Sequence, residues 1–399
     1  MVELWDHQKE TLPKMHNGCV LVGGTGSGKS LTAIAYYKEV LGDSPESSMP
    51  LYILTTASKR DTGDWDRECA KLDVKEQIVD SWNNIRKYSS TKKNSSQISG
   101  AFFILDEQRL IGSGAWVRAF YRIAKRNKWI LLSATPADTW MDLIPVFVAN
   151  GLWKNRTAFI REHVIYAPYV KYPKIVGYRN KAKLIAAKNK VLVLMPSKKK
   201  TISHTITIPV SHNEVMLKNM LKAQWDPFDD VPIETLPKET YIARKIINSH
   251  MSRVMALIGL HEQFKKLIIF YNFTFELEIL REWFEDRTIV RELNSFNHDP
   301  VPDGDDWVYL VQYNAGSEAW ECFTTNRMAF YSLNYSYRAM TQARGRIDRH
   351  NTHFQHVYYY ELISDSYLDK AIKLAFSQKK DFNVRMLRDN KERNSQLIL

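Results

Sequence analysis

Eight residues, Gly23-Gly24-Thr25-Gly26-Ser27-Gly28-Lys29-Ser30, constrain this chain more than any other stretch. They follow a short apolar run, Cys19-Val20-Leu21-Val22, that reads as a buried strand, and they lead into Lys29 to Leu41, which has helical character. Glycines at 23, 24, 26 and 28 let the backbone turn tightly, with no Cβ between its N–H groups and a ligand. Those N–H groups and the N-terminus of the following helix form an anion cradle. In that pattern Lys29 reaches the β- and γ-phosphates of a nucleotide, and the Ser30 hydroxyl ligates Mg²⁺. An ordinary glycine turn between strand and helix is the competing reading, disfavoured because GxxxxGKS is complete and stands in the right context.

A second apolar run, Ala101-Phe102-Phe103-Ile104-Leu105, ends in Asp106-Glu107-Gln108-Arg109. A carboxylate at the end of a buried strand can hold Mg²⁺. On that reading Asp106 is the metal ligand, and Glu107 orients or deprotonates the attacking water. Taken alone, an Asp-Glu pair after a strand is a solvated loop; downstream of the glycine loop, in alternating strands and helices, the metal-and-base reading prevails. Two further blocks follow in fixed order: Ser133-Ala134-Thr135-Pro136, and Gln342-Ala343-Arg344-Gly345-Arg346-Ile347-Asp348-Arg349.

With these blocks in hand the chain resembles a superfamily 2 helicase or translocase, over nearly its whole length. That resemblance implies two tandem RecA-like domains, α/β with parallel sheets flanked by helices, and an ATP site in the cleft between them. Asp106 to Arg109 corresponds to the family's DExx block, and Ser133 to Pro136 to its coupling motif, with Thr135 and Gln342 relaying closure between nucleotide and strand. Gln342 to Arg349 matches the QxxGRxxR block, which implies that Arg346 and Arg349 reach the γ-phosphate. Leu4-Trp5-Asp6-His7-Gln8 resembles the upstream glutamine motif that reads adenine; an amide can pair with N6 and N7 of that base. A surface glutamine is the alternative for Gln8. Gln312 to Glu318, which includes Ser317, resembles a motif that touches nucleic acid and nucleotide.

Several segments lean toward the SWI/SNF-like branch: Ala57-Ser58-Lys59 with Trp65-Asp66-Arg67-Glu68, then Leu194 to Lys199 with Val210 to Glu214. The chain departs from that branch at Ser133-Ala134-Thr135, where Gly-Thr is usual, and in lacking long helical insertions. It is most similar in build to compact helicases encoded by bacteriophages. The implied activity is a DNA-dependent ATPase that translocates on or unwinds DNA in replication, recombination or repair. An ATP-gated melting or clamping factor and an RNA helicase are the alternatives. Proteins of replication or recombination are the implied partners, and the oligomeric state is left open.

The chain has 399 residues and a net charge of +12. Residues 161–200 hold eleven basic residues against one acid, Glu162, so this tenth of the chain carries most of the excess. Tyr166, Tyr169, Tyr172 and Tyr178 are interleaved with the charges. Phosphate neutralisation supplies most non-specific nucleic-acid affinity, and rings stack on bases. Lys198-Lys199-Lys200 are therefore candidate DNA contacts; a linker made basic for solubility is the competing reading. No apolar run is long enough to span a bilayer, and the first residues begin no signal peptide, so the expectation is a cytoplasmic protein without membrane contact. Cys19, Cys69 and Cys322 are isolated, which suggests small buried hydrophobes rather than a disulfide framework.

The expected division is a nucleotide-binding domain over 1–160, a basic linker over 161–200 and a second domain over 201–399. Further expected elements are an amphipathic helix over Asp138 to Asn150, a strand over Thr205 to Val210, one long helix over Tyr241 to Leu260, buried strands at Leu267 to Tyr271 and Trp307 to Val311, and a terminal helix over Tyr367 to Met386.

Overall fold

The computed structural model describes residues 2–24, 26–41, 49–75, 77–89, 98–107, 110–137, 139–168, 173, 175–196, 201–315, 320–349, 352–378 and 382. The chain divides into two compact units, residues 1–198 and 199–399. Each is built on a six-stranded parallel sheet with helices on both faces, the fold class expected from the alternation of apolar runs and helical stretches.

In the first unit the strands are β1 (Val20–Val22), β2 (Leu51–Thr55), β3 (Gln77–Ser81), β4 (Phe102–Asp106) and β5 (Lys128–Ser133), with a small antiparallel pair, β6 (Val164–Tyr166) and β7 (Ile175–Tyr178), and then β8 (Leu192–Leu194). The sheet order is β3-β2-β4-β5-β1-β8. The central strands are apolar on both faces, as parallel strands covered by helices must be. Alternation along β4 sends Phe102 and Ile104 to one core, with Ile34 and Trp65, and Phe103 and Leu105 to the other, with Phe120 and Phe147.

The second unit contains β9 (Ile202–Val210), the short pair β10 (Trp225–Asp226) and β11 (Val231–Pro232), then β12 (Lys266–Tyr271), β13 (Ile289–Leu293), β14 (Trp307–Gln312), β15 (Arg327–Phe330) and β16 (His356–Ser364). Its sheet runs β13-β14-β12-β15-β16-β9. Here too the cores alternate: Ile268 and Phe270 face one side, Leu267, Ile269 and Tyr271 the other.

Three expectations need correction. Residues 161–200 are not a bridge alone: β6, β7, the helix Lys181–Val191 and β8 all fold within the first unit, and β8 pairs in parallel with the glycine-loop strand, Val20 opposite Leu192. The dense charge masked a narrow apolar stripe, Leu184, Ala187 and Val191, that anchors the helix. The helix expected over 138–150 is a 3-10 turn, Trp140–Leu143, followed by Ile144–Ala149; Asp142 accepts from Thr139 N and caps the start of the turn, and Pro145 stands in the first turn of the helix that follows. The long helix over 241–260 is two helices, Leu236–Asn248 and Met251–Phe264, because the His250 ring accepts from Ser252 N and caps the second. The terminal helix expected over 367–386 is described over Tyr367–Ser377, and residues 379–381 and 383–386 lie outside the described residues.

All three cysteines are buried and free. Among the described residues no helix is long and apolar enough to cross a membrane.

Candidate active site

In the first unit the chemistry collects at the C-terminal ends of neighbouring strands. Register sets Val22 of β1 beside Ser133 of β5, and Asp106 of β4 beside Leu132. Gly23 N donates to Ser133 O at 3.2 Å, so the glycine loop leaves the sheet locked to the strand that precedes Thr135. This is the edge where ligands bind in open α/β sheets.

Two glycines of the loop have backbone reasons. Gly26 and Gly28 have φ of 73° and 80°, which other residues adopt rarely. A Cβ on Gly28 would stand 2.4 Å from the Gln8 amide nitrogen. The loop holds its own shape: Ser27 Oγ donates to Gly24 O at 2.8 Å, and Lys29 Nζ donates to Gly23 O and Gly24 O at 2.7 Å each. The helix Lys29–Leu41 then begins with no acid in its first turn to offset its positive end. Ser30, at the second position of that helix, is half-buried.

Gln8 is brought to this loop from the helix Asp6–Thr11. Its Nε2 donates to Gly28 O at 2.9 Å and its Oε1 accepts from Trp5 N at 2.8 Å. By donor and acceptor count one N–H and one lone pair remain, the pair that an adenine edge uses. His7 Nε2 stands 2.9 Å from Ser27 O, so two consecutive side chains hold the loop.

Asp106 is 3% exposed and densely served. Its Oδ2 accepts from Thr55 Oγ1 and Lys59 Nζ at 2.9 Å each and from Trp65 Nε1 at 3.3 Å. Burial pushes the carboxyl up, but the charge and hydrogen bond of Lys59, the Thr55 hydroxyl and the Lys29 charge outweigh it and hold it below the usual carboxylate range. Lys59 also lies 3.4 Å from Glu107 Oε1, so one ammonium bridges both acids. Glu107 itself takes a left-handed backbone, φ 54°, a conformation that non-glycine residues keep mainly where the surroundings enforce it, commonly at functional sites. Trp82 Nε1 donates to Asp106 O at 2.7 Å and fixes the strand end from behind.

Lys59 and Trp65 entered the sequence reading only as parts of a resembling block, and Thr55 not at all. The usable signal for Thr55 was a lone hydroxyl at the last position of an apolar strand. A lysine ammonium already seated on the acid pair shows that the pocket fits a cation, and the glycine loop fits an anion beside it. The residues present therefore suit a Mg²⁺-nucleotide.

The arginine block lies in the second unit. The helix Tyr337–Arg344 is capped by Ser336 and carries Gln342, half-buried. Arg344 is built into the unit: it bonds Thr205 Oγ1 at 2.9 Å and Glu361 Oε1 at 2.6 Å, and stacks 4.8 Å from the Tyr359 ring centre. Arg346 is 7% exposed, with Nη1 donating to Trp320 O at 3.2 Å. Arg349 lies 3.3 Å from Glu321 Oε1; burial lowers its guanidinium, with the charges of Glu321 and Asp348 opposing. Thr135 is half-buried just beyond β5, its N–H donating to Ser133 Oγ at 3.1 Å. Thr25, Ser317, Lys198, Lys199 and Lys200 lie outside the described residues, as do Gln108, Arg109, Tyr169 and Tyr172.

No protein-family model and no curated protein matches the chain. Among solved structures the chain is similar to the Sulfolobus solfataricus SWI2/SNF2 ATPase core in complex with dsDNA, at 15% identity across 97% of this chain and 92% of that one, with a TM-score of 0.41.

Proposed function

We propose that this chain is a DNA-dependent ATPase motor of the superfamily 2 kind that translocates on or unwinds DNA. One observation carries the ATPase reading: a glycine loop opening a helix and the buried carboxyl of Asp106 stand at the same edge of one parallel sheet, with Lys59 joining Asp106 to Glu107. The DNA reading rests on the ordered motif blocks and the net charge of +12. The compact build, without long insertions, supports a likeness to phage-encoded motors of replication, recombination or repair.

The residues divide the work. The loop N–H groups and Lys29 bind the phosphates, and the loop carbonyls that now hold Lys29 release it. Ser30 and Asp106 would hold Mg²⁺, which supplies charge to the phosphate oxygens when bound. Glu107 accepts the proton from the attacking water. Arg346 and Arg349 act on the γ-phosphate of the bound nucleotide, where positive charge stabilises the transferring phosphoryl group. Gln8 reads adenine with its remaining N–H and lone pair, and Thr135 and Gln342 relay the nucleotide state. Substituting either arginine by alanine should cut turnover by ~10³-fold or more while leaving nucleotide affinity nearly unchanged.

The experiment is the rate of phosphate release with no nucleic acid, with single-stranded, duplex and forked DNA, and with RNA. Stimulation by DNA is the expected result. Stimulation by RNA alone would make the chain an RNA-dependent enzyme, and hydrolysis without strand or triplex displacement would make it a clamp.

A further inference from the structure

The helix Lys181–Val191 has a cross-section that its sequence alone does not reveal. At ~100° per residue, Leu184, Ala187 and Val191 form one buried stripe. Lys181 and Lys188 flank that stripe on one side, Lys183 and Lys190 on the other, and all four are exposed. Between the two lysine rows, opposite the buried stripe, the crest is Ala182, Ile185, Ala186 and Asn189. Ile185 on that crest is 50% exposed. The helix contains no acid; Lys183 engages Glu162 at 2.6 Å and lies 5.4 Å from the Trp153 ring centre, and Lys188 lies 6.0 Å from that of Trp140.

A helix made basic only for solubility mixes charges or spreads them over its outer face. This one clears its outer face of charge, leaving two alanines, Asn189 and a single larger side chain, Ile185, and places lysines along both margins. A small, nearly neutral crest between two cationic rows complements a groove with a phosphate backbone on each side. The major groove of B-form DNA, ~12 Å wide, admits a helix. The major groove of A-form RNA is too narrow and deep to be read that way.

We propose that the outer face of Lys181–Val191 enters the major groove of duplex DNA, with the crest in the groove and the lysine rows on the two backbones. The inference rests on the reading of the chain as a DNA-dependent ATPase and names a surface for that partner. Its position gives it consequence. The helix runs directly into β8, which pairs with the glycine-loop strand, and the next residue continues the ladder, Met195 N donating to Val22 O at 2.8 Å. Thr32 Oγ1 then contacts Met195 Sδ at 3.4 Å under the nucleotide loop. A load on this helix is therefore borne by the strand that ends in the phosphate site.

The test is affinity for a short random-sequence DNA duplex against salt, without nucleotide, for the full chain and two variants. The first variant, Lys181→Gln with Lys188→Gln and Lys190→Gln, spares Lys183, which holds Glu162. It should lower the log–log salt slope by up to ~2.7, about 0.9 for each phosphate no longer neutralised. The second, Ala186→Tyr, keeps every charge but fills the crest. It should weaken duplex binding several-fold at an unchanged slope, while single-stranded binding and DNA-free hydrolysis stay at wild-type levels. Wild-type affinity and slope in the triple variant would overturn the proposal. So would an equal weakening of both variants on duplex RNA or single strands, which would make the helix a general phosphate surface. Wild-type protein that binds duplex while its hydrolysis ignores DNA would instead overturn the motor reading and leave this surface standing.

Discussion

Each unit contains a central strand running into a helix, and the two helix starts are built in opposite ways. After β1 come the glycine loop and a helix with no acid in its first turn. After β12 come Asn272, Phe273 and the helix Thr274–Phe284, whose third residue, Glu276, is 0% exposed and turns back on its own start. Its carboxylate accepts from Asn272 N at 2.7 Å, Asn248 Nδ2 at 2.7 Å and Ser332 Oγ at 3.0 Å. Every helix N-terminus exposes N–H donors and positive potential. The second unit neutralises that end with its own carboxylate, while the first carries no acid in its first turn and, on the proposed function, takes the phosphates there. One topology thus carries a helix start sealed by its own side chain and another with no such seal.

The sharpest way to break this comparison is at Lys29. Lys29→Ala should lower ATP hydrolysis by ~10²–10³-fold or more, as for loss of a donor aimed at developing charge, while circular dichroism shows the chain still folded. Near-normal phosphate release would mean that the first helix start is a sealed joint as well.

Glu276→Ala should act in reverse. Several buried donors lose their acceptor, at ~1–3 kcal/mol for each left unsatisfied, so a loss of about 3 kcal/mol is expected in urea unfolding. A variant as stable as wild type that binds inorganic phosphate would show the two ends to be interchangeable.

Lys59→Met sharpens the first half. Lys59 has 24% of its side chain exposed, so its removal should cost about 2 kcal/mol, less than the ~3–5 kcal/mol of a sealed pair such as Arg253–Asp369. Thermal unfolding in chelator should show the loss, and Mg²⁺ with nucleotide should restore part of it. An undiminished melting temperature in chelator would mean that Thr55 and Trp65 suffice for Asp106.

The smallest difference between the units should be their response to acid. Burial raises Asp80 and Asp106 in the first unit and Glu292 and Asp369 in the second, yet their partners outweigh it and hold all four below the usual range. Groups depressed by folding stabilise above their unfolded values, about 4, and lose that contribution as pH falls through the lowered values. Both units should hold their stability from neutral pH to about 4 and lose it together below. Circular dichroism on acid titration checks this, and unfolding of one unit well above pH 4 would contradict it.

Much of the first unit was legible because its signals are local. An apolar strand, a glycine loop and a following helix are contiguous, and so are Phe102 to Asp106. The partners of Asp106 were not, since Thr55, Lys59 and Trp65 come from other segments and meet it only when β2 and β4 pair. The helix Lys181–Val191 was obscured for a different reason. Counting charge over 161–200 gave a basic linker, while three apolar residues at helical spacing were enough to anchor an element.

By itself the sequence determined two α/β units, the position of the glycine loop and the acid pair at the end of β4. Those follow from backbone freedom at glycine and from the period of apolar residues, both properties of neighbours along the chain. Only the tertiary structure decided which side chains complete the site and which helix start stays open. It also decided that lysines scattered in sequence fall into two rows. Hydrogen-bond partners and helix faces are set by distance in space, and a parallel sheet brings together residues that the chain keeps tens of positions apart.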